Sequence, residues 1–143
     1  MITFTVPCEP VAKARPRVVR SATGAVHTFT PKKTKDFEEL VKVRYLQACG
    51  NVKASGTPVA LNVVFQFEPP QSWSGVRKEQ AYKRMVHKTT KPDVDNLLKA
   101  VMDALNGVAW DDDAQVVQIH CTKQYARKAE VVITIEHNYT IYP

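Results

Sequence analysis

Apolar residues recur along this 143-residue chain with two different periods. Phe37, Leu40, Val41, Leu46 and Ala48 return at helical spacing, behind a Thr34 that can cap and ahead of a Gly50 that can stop a helix. Leu97, Leu98, Val101, Met102 and Leu105 make one stripe of a helix over 95–105 that Asn106-Gly107 would end. Asp95, Lys99 and Asp103 occupy another face of that helix at i, i+4 steps. Alternation over 114–124 and 129–138 predicts two strands joined by a polar turn near Arg127-Lys128. MITFTV (1–6) and PVALNVVFQFE (58–68) read as two more strands. Residues 13–31 read as a loop or hairpin turning at Thr23-Gly24, and 76–86 as a short helix. That order predicts an α+β fold in which a single mixed sheet packs against two or three helices. The length suits one domain spanning 1–143.

Composition narrows the class without naming it. At 44% hydrophobic and 24% charged, the chain is ordinary for a soluble protein, and no apolar run nears the roughly 20 residues that span a bilayer. MITFTVPCEP lacks a basic leader and is interrupted by Pro7 and Glu9, so no signal peptide is expected and the cytoplasm is the default compartment. Cys8, Cys49 and Cys121 are odd in number and far apart, as reduced thiols would be, and the four histidines do not join them at zinc spacing.

Charge changes the picture. The chain carries +6 overall, yet six of its 14 acidic residues lie between Asp93 and Asp113. Residues 1–35 sum to +6, residues 76–92 to +5, and residues 93–113 to −5. A basic field around a compact acidic patch attracts polyanions, although any single basic run taken alone is an ordinary solvated face.

Like charges repel, so the acidic stretch KPDVDNLLKAVMDALNGVAWDDDAQVV (91–117) needs a reason. Asp93 and Asp95 alone would be helix-start aspartates, with Asp95 a natural N-cap. The second group, Asp111, Asp112 and Asp113, asks for more. The helix carries the chain about 16 Å away. Residues 107–113 span up to about 23 Å when extended, so Asp112 or Asp113 can return to the helix start. Three carboxylates converging there would select a hard cation, Mg²⁺ or Mn²⁺, and leave positions for phosphate oxygens. Lys99 reads either as a pair of surface ion pairs or as a cation beside that metal.

The motif D-x-D-N-x-x-K-x-x-x-D-x-L at Asp93–Leu105, followed by D-D-x-Q-V at Asp112–Val116, resembles the RusA family of Holliday junction resolvases. PVAKARPRVVR and FTPKKTKDFE are similar to the N-terminal part of the phage-type members. The resemblance implies a homodimeric, Mg²⁺-dependent endonuclease, in which Mn²⁺ can substitute, that binds four-way DNA junctions and makes paired symmetric nicks. It implies that Asp93, Asp95 and Asp113, together with the adjacent Asp112, bind the metal, that the first three are catalytic, and that Lys99 is the catalytic lysine. It assigns DNA binding to Lys13, Arg15, Arg17, Arg20, Lys32 and Lys33. Asp111 falls where the family varies, and Asp103 is expected to support the helix. Two other readings of the residues stay open: a non-enzymatic DNA-binding module, and a Mg²⁺-dependent phosphohydrolase of small nucleotides.

Overall fold

A computed structural model describes residues 1–14, 17–29 and 31–140, with backbone alone considered for 17–19 and 27–29. The strands are β1 (Ile2–Val6), β2 (Arg17–Arg20), β3 (Val26–Phe29), β4 (Val59–Phe67), β5 (Val116–Tyr125) and β6 (Glu130–His137). The helices are α1 (Lys32–Cys49), α2 (Gly75–Tyr82) and α3 (Val94–Leu105). Four strands form one mixed sheet in the order β1-β6-β4-β5, while β2 and β3 pair as a separate hairpin. The predicted α+β architecture is the one observed.

Alternation decides which face of the sheet is covered. Val59, Leu61, Val63, Phe65 and Phe67 of β4 are all buried, as are Val131, Ile133 and Ile135 of β6 and Phe4 and Val6 of β1. Phe37, Val41 and Tyr45 of α1 and Leu97, Ala100, Val101, Ala104 and Leu105 of α3 close the core from one side. At roughly 25 cal/mol per Å² of apolar surface, this layer is the main source of stability.

The pairing of β4 with β5 is parallel, whereas β6 runs antiparallel to β1 and β4. Parallel neighbours need a long crossover. Here the crossover contains α2, α3 and the whole acidic stretch, so the topology lays that stretch across the sheet beside β5.

Several boundaries differ from expectation. α1 starts at Lys32 after Pro31, which leaves Thr34 inside the helix, 1% exposed, instead of at its cap. Pro31 supplies the helix start through its fixed φ. α2 is capped by Ser74, whose hydroxyl accepts from the Arg77 N–H at 3.2 Å, and it ends at Tyr82, short of residue 86. Arg84 takes a φ of 61°, which breaks the helix where no glycine announces it. Gly107 at φ 77° makes the reversal expected after α3. The cysteines are free thiols, and burial pushes Cys121 up to about 11.

Candidate active site

α3 has the strongest amphipathic pattern in the chain, and its polar side carries the acidic residues away from the core. Asp93, not Asp95, is the N-cap residue, and its side chain makes no capping hydrogen bond. The carboxylate therefore remains exposed and available. Asp95 lies in the first turn and is exposed as well. The peptide before this start, Lys91–Pro92, is cis.

The return leg is built differently. Trp110 is fully buried in the core, and its indole Nε1 donates to Asp113 Oδ1 at 2.8 Å. A rigid ring thus fixes the direction of one carboxylate. Residues Asp113–Gln115 form one turn of 3-10 helix, capped by Asp112, whose Oδ1 accepts the Ala114 N–H at 3.1 Å. Gln115 answers by accepting the Asp111 and Asp112 N–H groups at 2.8 and 3.0 Å, and it donates to the carbonyls of Ala54 and Thr57. Asp111 receives Lys53 at 2.8 Å and the Ser55 hydroxyl at 2.8 Å, and these two partners hold its carboxyl below the usual aspartate range.

Asp95, Lys99, Asp103 and Asp113 line one hollow of about 270 Å³, with Leu98 and Met102 on its wall. The chain does return its second acidic group to α3. Asp93 is not among the lining residues, and among the described residues no three His, Cys, Asp or Glu side chains are grouped closely enough to hold a metal. Of the three carboxylates expected to converge, Asp95 and Asp113 share the hollow, and Asp93 precedes Asp95 by two residues at the α3 N-cap.

Lys99 is 63% exposed on its side chain and lies 3.3 Å from Asp103 Oδ1. Asp103 also receives Lys13 Nζ at 3.1 Å, and Lys13 reaches Glu38 at 2.6 Å. Burial alone would lower the Lys13 pKa, but its bonds to Glu38 and Asp103 outweigh that and raise it. Lys13, expected to bind DNA, makes ion pairs with these two carboxylates. Its backbone N–H donates to the Asn96 carbonyl at 2.9 Å, which ties the segment before β2 to the first turn of α3.

Arg20 is exposed at the end of β2, and Lys32 and Lys33 are exposed in the first turn of α1. Arg17 contributes backbone to β2, and its side chain, like Arg15 as a whole, lies outside the described residues. Residues 71–91 wrap the ends of β4 and β5. Arg77 stacks 3.9 Å from the centre of the Trp73 ring, whose other neighbour is Tyr125, edge-on at 5.3 Å. Both tryptophans thus have structural partners; Trp110 is fully buried and Trp73 half-buried.

Sequence reasoning passed over four contributors: Glu38, Trp110 as a donor, Gln115 and Lys123. Lys123 had a readable signal. On the side of β5 that carries Val117, Ile119, Cys121 and Tyr125, it is the one charged residue.

Comparison with known proteins agrees with this layout. Residues 7–136 match the family described as Endodeoxyribonuclease RusA. The chain is also 40% identical over 137 residues, 94% of each chain, to "Uncharacterized protein YqaN" of Bacillus subtilis (strain 168). The match spans the hairpin, the basic wrap, α3 and the aspartates ahead of β5, and so this chain belongs to the RusA endodeoxyribonuclease family.

Proposed function

We propose that the protein is a Mg²⁺-dependent endonuclease that resolves four-way DNA junctions by paired nicks, acting as a homodimer. The observation that carries this reading is that Asp95, Lys99 and Asp113 share one hollow in a chain of this family. The anionic donors lining the hollow are aspartate oxygens, and Mg²⁺ is commonly held by one or two carboxylates with water and substrate phosphates filling the remaining positions. Asp95 and Asp113 fit that donor set, with Asp93 as a neighbouring carboxylate. When bound, Mg²⁺ supplies Lewis acidity and lowers the pKa of water.

The remaining roles fall to the chain. Asp113, aimed by Trp110, would be one of the residues that hold the ion. Lys99 is the cation that offsets charge gathering on the scissile phosphate. Asp103 anchors the Lys99 ammonium and is itself held by Lys13. Arg20, Lys32 and Lys33 contact backbone phosphates, which positions the duplex without reading its sequence. Lysines crowd the first turn of α1, where the helix end is already positive and no acid relieves them. Such an end favours an anion.

Support for a dimer comes from β5. It is a free edge of the sheet, Val117 and Ile119 are exposed on it, and residues 116–122 include no Lys, Arg, Asp or Glu. Open strand edges pair readily, and two copies of a +6 chain meet best where charge is absent.

The test is incubation of a synthetic four-way junction with Mg²⁺, comparing wild type with Asp95→Asn, alongside sizing of the protein in solution. Symmetric nicked duplexes from the wild type, with loss of at least about a hundredfold in the variant, support the reading; roughly 3 kcal/mol of transition-state stabilisation is at stake. Equal cleavage by both proteins, or activity confined to free nucleotides, would overturn it.

A further inference from the structure

Lys123 sits on β5 opposite Phe65 of β4, on the side of the sheet that faces the helices. Every other residue on that side of β5 is apolar or aromatic, so an ammonium there needs a reason. Its stem lies along apolar surface, and its Nζ reaches out to two backbone carbonyls, Thr90 at 2.7 Å and Pro92 at 3.0 Å. Among the described residues it has no carboxylate partner within ion-pair distance. The neighbouring cation is Lys88, whose Nζ lies over the Phe67 and Tyr125 rings.

Those two carbonyls flank Lys91, and the second, that of Pro92, immediately precedes Asp93. The segment has no strand partner of its own and enters α3 without a side-chain cap, so nothing at the Asp93 side chain fixes the helix entry. Lys123 supplies the fixing from outside. It ties the last residues before α3 to the rigid sheet by two charge-assisted bonds, which are stronger than neutral ones.

We infer that Lys123 is a positioning residue that sets the approach of Asp93 and Asp95 to the metal hollow by clamping the Thr90 and Pro92 carbonyls. The inference rests on the nuclease reading given above. It adds that the acid set is aimed from both ends by donors rooted in the core: Trp110 on Asp113, and Lys123 on the start of α3. Removing an outer support of this kind typically weakens metal binding about 10–100-fold.

The experiment titrates Mn²⁺ into the full-length protein without DNA, by calorimetry or by the loss of free Mn²⁺ signal in electron paramagnetic resonance. Wild type is compared with Lys123→Met, Lys123→Arg and Asp95→Asn, and junction affinity is measured without divalent metal. Lys123→Met, which keeps the stem and removes the ammonium, should weaken Mn²⁺ binding about tenfold or more while junction affinity stays within about twofold. Lys123→Arg, which keeps charged donors, should restore most of the loss. If Lys123→Met fails to fold, Lys123→Gln takes its place with the same expectation. Unchanged Mn²⁺ affinity in the Met or Gln variant, with loss in Asp95→Asn, overturns the clamp and leaves the nuclease reading intact. Absence of Mn²⁺ binding by the wild type would instead overturn the nuclease reading itself.

Discussion

Two sets of aspartates, identical in chemistry and only a few residues apart, are treated in opposite ways by the fold. Asp103, Asp111 and Asp112 are occupied within the chain: by Lys13 and Lys99, by Lys53 and Ser55, and by the turn that Asp112 caps. Asp93 and Asp95 have no such partners among the described residues, and Asp113 has one oxygen held and the other uncommitted. The first set neutralises charge locally and shapes the loop. The second set leaves negative charge open to solvent along α3, beside a lysine. A protein of marginal stability keeps unpaired carboxylates together only at a modest cost, and that cost is expected where a site must receive a cation. The count of acidic residues was therefore less informative than the partners each one has.

The comparison breaks most clearly at Asp113. Asp113→Asn retains an oxygen to accept the Trp110 N–H but removes the charge. Metal-dependent junction cleavage should fall by at least about a hundredfold with a melting temperature within about 2 °C of wild type. Cleavage rates and a thermal melt on the same sample check this; full activity would move Asp113 into the structural set.

Asp112→Ala sharpens the other side. It removes the cap of the turn before β5 and should cost roughly 1 kcal/mol of stability, a drop of about 2–4 °C in melting temperature. Cleavage by the folded protein should stay within about threefold at saturating Mg²⁺. A large loss of activity without destabilisation would place Asp112 in the metal-binding group that the family resemblance suggests.

The smallest effect concerns Asp111. Its bonds to Lys53 and Ser55 depress its pKa, so its contribution is present above the ordinary aspartate value of 3.8 and lost as pH falls through the lower folded value. Asp111→Asn should therefore leave stability nearly unchanged below that range. It should lower stability slightly and uniformly above it, as read from denaturant melts across acidic pH.

Much of this arrangement was legible in the amino-acid order. The stripe of α3, the alternation of β4 and β6 and the hairpin turn at Gly24 follow from local periodicity and turn chemistry, which require no knowledge of distant neighbours. The spacing of Asp93, Asp95, Lys99, Asp112 and Asp113 was enough to suggest the family. Less legible were the interruptions. The early end of α2 depends on Arg84 adopting a left-handed backbone, and the burial of Thr34 depends on where α1 meets the sheet.

Sequence alone determined which residues lie on one face of one element, because a helix or a strand repeats every few positions regardless of its surroundings. It also determined that negative charge is concentrated beside a lysine within a basic chain. Tertiary structure decided which of those charges are free. The pairing of Lys13 with Glu38 and Asp103, the hold of Trp110 on Asp113 and the reach of Lys123 to Thr90 and Pro92 all join residues from different elements. Their geometry arises only when α3 is laid against β5 by the parallel crossover, since partner distance is set by packing and not by separation along the chain.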